Sequence, residues 1–400
     1  MQTFFGKFKY VKFRDILHVF LFLAALPVAL IYKLRRKDLW LVCDNGNEAA
    51  DNGFVFFKYV CEKEPQQDCV FAICKNSPDR EKVEKVGKTV YYGTFRHWVL
   101  YLTARVNISS QKGGKPNYAV CNLLEVYGIL RNNRVFLQHG VILTDIEFLY
   151  YKNTKMSLFT TSTTREYEFV RDNYGYPEGA VQLLGLPRFD EHHSITVDEK
   201  QILIMPTWRE WLGNSTLTKN ISKNIAEFTS TEYFKYYSEL INDEALTELC
   251  VKNGFKIKFY LHREAQRFAD CFTSNNPNLE ICKFPNYRVD ELLKTSAFLV
   301  TDYSSIQTDF GYMKKPLCYF HFDYDRYTKE HYQMGYFDYQ TDGFGPVFED
   351  AKSVAEYIVK SAENNFENPE EYKAREDKFF DLYDANNCKR NFEAIKEKWS

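Results

Sequence analysis

Short apolar runs that alternate with helix-like segments constrain this chain more than any other feature. The first half carries seven such runs: WLVC (40–43), CVFAIC (69–74), TVYY (89–92), AVC (119–121), VFLQ (135–138), LFTT (158–161) and VQLLG (181–185). Helical patterns lie between them at Asn47–Lys63, Phe95–Ala104 and Thr163–Tyr174. The second half repeats the scheme with ILIMP (202–206), IKFYL (257–261), LEICKF (279–284), AFLV (297–300) and LCYF (317–320), and a helical stretch from Lys219 to Gly254. Runs with little polar alternation, separated by helices, predict parallel strands covered on both faces. The expected fold class is α/β, with two successive doubly wound Rossmann-type domains. Residues 38–192 form the first and 198–365 the second, joined by a polar linker in EHHSITVDEK (191–200), with charge-rich helices over 366–400.

In doubly wound sheets ligands bind outside the carboxyl ends of the strands. The residues to examine are therefore those directly after each apolar run. After AFLV come Thr301, Asp302, Tyr303, Ser304 and Ser305. Ser304-Ser305-Ile306-Gln307 fits a capping box with Ser304 as N-cap, and Ile306, Phe310 and Met313 fall on one helix face up to Pro316. A helix start with free N–H groups favours an anion, and serine hydroxyls add donors for phosphate oxygens. Asp302 would repel a phosphate, so it is expected to point to a donor hydroxyl or into a backbone turn. After IKFYL come His262 and Arg263, and after ILIMP come Thr207, Trp208 and Arg209. Cations at strand ends suit phosphate binding or protonation of a leaving group, and equally suit salt bridges.

The first half offers His139-Gly140 after VFLQ, a candidate base beside a glycine that permits close backbone approach. Arg188 follows VQLLG, and Asn45, Asn47, Asp51 and Asn52 follow WLVC; these fit a polyol, or turns and caps. Asp323-Tyr324-Asp325 has the DxD form by which nucleotide-sugar enzymes hold a divalent metal, but any acidic loop produces it, and no metal is expected. P-loop, GxGxxG and GxSxG motifs are absent, which disfavours kinases, dehydrogenases and hydrolases.

A formal charge of −2 lacks the basic excess of a nucleic-acid binder. The ten cysteines show neither CxxC pairs nor metal spacing and read as reduced thiols of a cytosolic compartment. Ile16–Tyr32 is apolar except at His18 and Pro27. It is preceded by Lys7, Lys9, Lys12 and Arg14 and followed by Lys33, Arg35, Arg36 and Lys37. Basic residues on both flanks fit a segment over 1–37 lying in an anionic leaflet. A spanning helix, a buried core helix and a signal peptide remain open alternatives.

DNGFVFFKY (51–59), QHG (138–140), GLPRFD (185–190), ILIMPTWR (202–209), YLHRE (260–264), VTDYSSIQTDFGYMKKPLCYF (300–320) and GYFDY with GPV (335–347) occur in this order. Over about residues 38–350 the chain resembles the CDP-glycerol glycerophosphotransferase family, whose members build teichoic acids and related capsules. The resemblance implies a GT-B-like fold with the site in a cleft between domains. It implies transfer of glycerol phosphate, or a related polyol phosphate, from a CDP-linked donor to a hydroxyl of a lipid-linked saccharide or teichoic acid, with release of CMP. It implies His139 as base and His262 on donor phosphate, with Ser304, Ser305 and Arg209 among the phosphate contacts. Thr301 and Arg263 extend that donor set, and Gly140, Arg188 and Asp302 are candidate polyol or nucleotide contacts. The family commonly has proline where this chain has Arg263. CDP-glycerol is a substrate, and no cofactor is called for. Membrane association on the cytoplasmic face is also implied. Two rival readings stand beside it: a capsule glycosyltransferase using a CMP- or UDP-sugar, and an inactive membrane-bound assembly subunit.

Overall fold

The computed structural model describes residues 13–212, 221–330 and 333–399; the basic residues Lys7, Lys9 and Lys12 and the start of the expected Lys219–Gly254 stretch lie outside them. The first sheet holds β1 (Trp40–Cys43), β2 (Cys69–Ile73), β3 (Thr89–Tyr91), β4 (Val106–Ser109) and β5 (Arg134–Phe136). After β6 (Thr144–Asp145), which pairs elsewhere, it is completed by β7 (Leu158–Thr161) and β8 (Val181–Leu183). The order is β3-β2-β1-β4-β5-β7-β8, parallel throughout. Trp40 and Val42 enter one hydrophobic cluster, while Leu41 and Cys43 enter another. Successive side chains point to opposite faces, so β1 is buried on both, which explains its unbroken apolar run.

The second sheet comprises β9 (Asp198–Ile204), β10 (Lys256–Tyr260), β11 (Leu279–Cys282), β12 (Ser296–Thr301) and β13 (Leu317–Phe320), then, after β14 (Gln333–Met334), β15 (Val347–Phe348). Its order is β11-β10-β9-β12-β13-β15, again parallel. β14 pairs antiparallel with β6. In both sheets the strand order reverses direction once, between β1 and β4 and between β9 and β12. Those two positions are the switch points at which such sheets open a crevice.

Several expectations need correction. AVC (119–121) lies in the helix Tyr118–Val126, capped by Asn117; the strand in that region is β4, whose Asn107 and Ser109 interrupt the apolar pattern. The two units divide at Asp190/Glu191, and the second takes in Ile142–Ile146. The 366–400 region is not one segment. The helix Glu370–Phe379 belongs to the second unit, whereas Asn387–Trp399 belongs to the first. There Phe392 packs its ring 5.3 Å from Trp40, and Asn391 accepts from Thr160 Oγ1 at 2.7 Å.

The described part of the 1–37 region is likewise packed on the first unit. Its helix Phe13–Arg35 packs along Phe95–Thr103. Asp15, His18, Phe22, Ala25 and Ala29 are buried at helical spacing, and His18 Nδ1 accepts from Trp98 Nε1 at 3.0 Å. The other face carries Ile16, Leu17, Phe20, Leu23, Leu26, Leu30, Ile31 and Leu34, all exposed.

Candidate functional site

The turn after β12 shows what the sequence could not. Asp302 is fully buried and faces inward. Its carboxylate accepts from the Thr207 backbone N–H at 2.9 and 3.1 Å, from Tyr303 N–H at 2.7 Å and from Tyr237 Oη at 3.2 Å. Arg209 Nη1 donates to it at 2.8 Å, while Arg209 Nε and Nη2 grip Asp323 at 2.7 and 3.0 Å. Burial alone would raise the Asp302 pKa, but the Arg209 charge and the Thr207 bonds hold it below the usual carboxylate range.

Three assignments are therefore corrected. Arg209, with a side chain 0% exposed, is committed to two carboxylates and walled by Tyr233, Tyr303 and Tyr327; it is not a phosphate contact. Asp302 takes the backbone-turn alternative and not the ligand one. Thr301 is buried and donates to the Met205 carbonyl at 2.9 Å, so its hydroxyl is likewise occupied within the fold. The first Asp of the DxD sequence is spent on Arg209. Together these groups weld the ends of β9 and β12 into one rigid edge.

Ser304 and Ser305 remain half-buried on that edge. The expected capping box does not form. The helix runs Ile306–Tyr312 with Ser305 at its cap, and the Ser305 side chain makes no cap bond. Gln307 is buried and exchanges hydrogen bonds with Tyr319 and Tyr339 instead of reaching back. Ser304 Oγ is 3.4 Å from Ile306 N, a weak contact. His262 is exposed after β10, where it begins a 3-10 turn over Arg263–Cys271. Arg263 is exposed, its guanidinium 4.5 Å from the Phe284 ring centre. Since β10 and β12 flank β9, His262 and Ser304 follow strands about 10 Å apart.

The first unit assembles a second set at its own switch point. Asp44, directly after β1, is buried and accepts from Ser110 Oγ at 2.6 Å across the gap to β4, and from Gly53 N–H at 2.9 Å. A Cβ at Gly53 would collide with that carboxylate, which explains the glycine at the start of the helix Asn52–Lys63. Burial first, and then the neighbouring Asp51, push the Asp44 pKa up to about 7. Asp51 caps the helix by accepting from Asn52 N–H at 2.8 Å.

His139, with 70% of its side chain exposed, sets Nδ1 2.6 Å from Asp51 Oδ2. Arg188 Nη1 donates to Asp51 Oδ1 at 2.8 Å and to the His139 carbonyl at 2.5 Å. Arg188 thus braces the site from within the protein. Gln138, just before, adopts a left-handed backbone with φ of 66°, a conformation that costs a non-glycine residue about 1–2 kcal/mol. It is held by Asn52 Nδ2 on its carbonyl at 2.8 Å and by its own amide on Glu166 at 2.7 Å. The consequence is an outward-turned His139 next to the half-buried Gly140. Sequence reasoning placed Asp51 among turn and polyol candidates and passed over Asp44; its signal was the first polar residue after WLVC.

A family model described as CDP-Glycerol:Poly(glycerophosphate) glycerophosphotransferase matches residues 24–397. The minor teichoic acid biosynthesis protein GgaB of Bacillus subtilis (strain 168) is 34% identical over 372 residues, spanning 90% of this chain. A teichoic acid poly(glycerol phosphate) polymerase of Staphylococcus epidermidis is 22% identical over 84% of it. The chain spans only 40% and 47% of the lengths of these two relatives. Among solved structures, the wall teichoic acid polymerase TagF, in a form soaked with CDPG, superposes with a TM-score of 0.65 at 18% identity, covering 100% of both chains. S. aureus MnaA with UDP gives 0.57 at 12% identity over 90% of this chain and 96% of that one. At these identities the likeness is one of fold, and it bears out the GT-B-like class.

Proposed function

The chain belongs to the CDP-glycerol:poly(glycerophosphate) glycerophosphotransferase family, and on that premise we propose that it is a transferase moving glycerol phosphate, or a related polyol phosphate, from a CDP-linked donor to a hydroxyl of a membrane-linked teichoic acid or capsule acceptor. The observation that carries this reading is the outward-turned His139, held at the ligand edge of the first sheet by Asp51 and Arg188.

In the proposed reaction His139 takes the acceptor hydroxyl proton as the oxygen attacks the polyol-bearing phosphorus. A P–O bond forms to the acceptor, the P–O bond to CMP breaks, and CMP leaves with the electron pair. Negative charge on the donor pyrophosphate is met by His262, Arg263 and the hydroxyls of Ser304 and Ser305. No resident cofactor takes part in these steps. Arg209 acts at a distance, by fixing the loop that carries the serines.

Association with a membrane is supported by the helix Phe13–Arg35, which is long and apolar enough to cross a bilayer yet buries one face on the first unit. Its exposed apolar face suits a helix lying in the interface. The ten free cysteines, seven of them buried, accord with a reducing compartment and so with the cytoplasmic face. Incubation with CDP-glycerol, CDP-ribitol or UDP-sugars, each with a lipid-linked acceptor, tests the proposal. Release of CMP with acceptor mass increased by one polyol phosphate is expected. UDP release without CMP, or unchanged turnover in both His139→Ala and His262→Ala, defeats it.

A further inference from the structure

We propose that Asp51 is the positioning residue that decides which nitrogen of His139 accepts the acceptor proton, an inference that rests on His139 being the base. An ionised carboxylate only accepts hydrogen bonds, so the 2.6 Å contact to Asp51 Oδ2 requires a proton on Nδ1. The lone pair is thereby left on Nε2. Asp51 is itself fixed. Its Oδ1 accepts from Arg188 Nη1 and from Asn52 N–H, each at 2.8 Å, and its Oδ2 lies 3.3 Å from Gln111 Nε2. The same Arg188 guanidinium holds the His139 carbonyl, so ring and backbone are registered by one cation.

Arg188, from the turn after β8, and Asp44, from the end of β1, are charged groups facing this pair. Burial works against ionisation of Asp51, but His139 and Arg188 outweigh it and lower its pKa. Asp44, pushed up to about 7, takes the proton in preference, and Asp51 remains the carboxylate. On protonation of Nε2 during turnover, Asp51 stabilises the imidazolium that forms.

The test is Asp51→Asn in the full chain, which retains a side-chain oxygen to cap Asn52–Lys63. Nitrogen-15 NMR of histidine-labelled protein, assigned against His139→Gln, reads the tautomer without any substrate. Wild-type His139 is expected in the Nδ1–H form and Asp51→Asn in the Nε2–H form. With CDP-glycerol and a lipid-linked acceptor, kcat falls about 100-fold, the KM for CDP-glycerol changes little, and the acidic limb of the pH profile moves to lower pH. Asp51→Glu restores the tautomer and part of kcat. A wild-type ring in the Nε2–H form overturns the inference with no variant needed. So does an Asp51→Asn enzyme of undiminished kcat while His139→Ala is inactive. Full turnover in His139→Ala overturns the base assignment and the part given to Asp51 in the reaction with it.

Discussion

Arg209 and Asp302 form a fully buried ion pair, Nη1 to Oδ2 at 2.8 Å, joining the residues that follow β9 and β12. Removing one partner leaves the other charge buried and unpaired, which costs far more than the pair contributes. Arg209→Met is expected to destabilise the second unit by about 3–5 kcal/mol, measured by urea unfolding. Were Arg209 a donor contact, the variant would keep its stability and show only a raised KM.

Ser304 and Ser305 give the opposite pattern. Ser305 makes no cap bond, and the Ser304 bond is long. The double variant Ser304→Ala, Ser305→Ala is expected to melt with the parent protein. Its KM for CDP-glycerol is expected to rise about tenfold, the magnitude of losing a hydrogen bond to a charged group. Initial-rate kinetics and a thermal melt on one preparation check both halves.

The two faces of Phe13–Arg35 should respond differently to substitution. Leu23 and Leu30 are 53% and 66% exposed. Changing both to Glu is expected to abolish flotation with anionic vesicles while the melt stays unchanged. Phe22 is buried beside Trp98, their rings 5.6 Å apart, and Phe22→Ala is expected to cost about 3 kcal/mol. Deleting residues 1–37 would uncover that core, so it is the wrong way to obtain a soluble enzyme.

Glu376 supplies a pH-dependent test away from the site. Its Oε1 accepts from Asn368 at 2.9 Å, and Oε2 has no hydrogen-bond partner among the described residues. Burial pushes its pKa up to about 8 from 4.5. A carboxyl raised on folding contributes fully below its unfolded value and loses that contribution as pH rises through about 8. Glu376→Gln is therefore expected to match the parent near pH 5 and to exceed it by about 2 kcal/mol or more at pH 9. Equal stabilities at pH 9 would place an unrecognised cation beside Oε2.

Element type was readable wherever a run was long and uniform. WLVC, LFTT and LCYF are β1, β7 and β13 to the residue, and every position in them is buried. AVC misled because three apolar residues fit a helix as well as a strand. β4 escaped notice because Asn107 and Ser109 break its apolar pattern; they donate to the carbonyls of Tyr101, in the preceding helix, and Gln111, in the loop that follows. His139, Ser304 and Ser305 could be nominated by their place after strands. The commitments of Arg209 and Thr301 could not, since they depend on Asp323 and on Met205, 114 and 96 residues away. Asp51 and His139 are 88 residues apart, and only the fold brings them together.

The helix Asn387–Trp399 has a consequence for biogenesis. It covers Trp40 and bonds Thr160, yet it is made after the whole second unit. The first sheet must therefore wait for the thirteen residues of this helix, which follow the second unit in the chain, before its Trp40 side is covered. Until then its Trp40 flank is exposed to chaperones and proteases, and a truncation before Asn387 would leave the first unit open on that side.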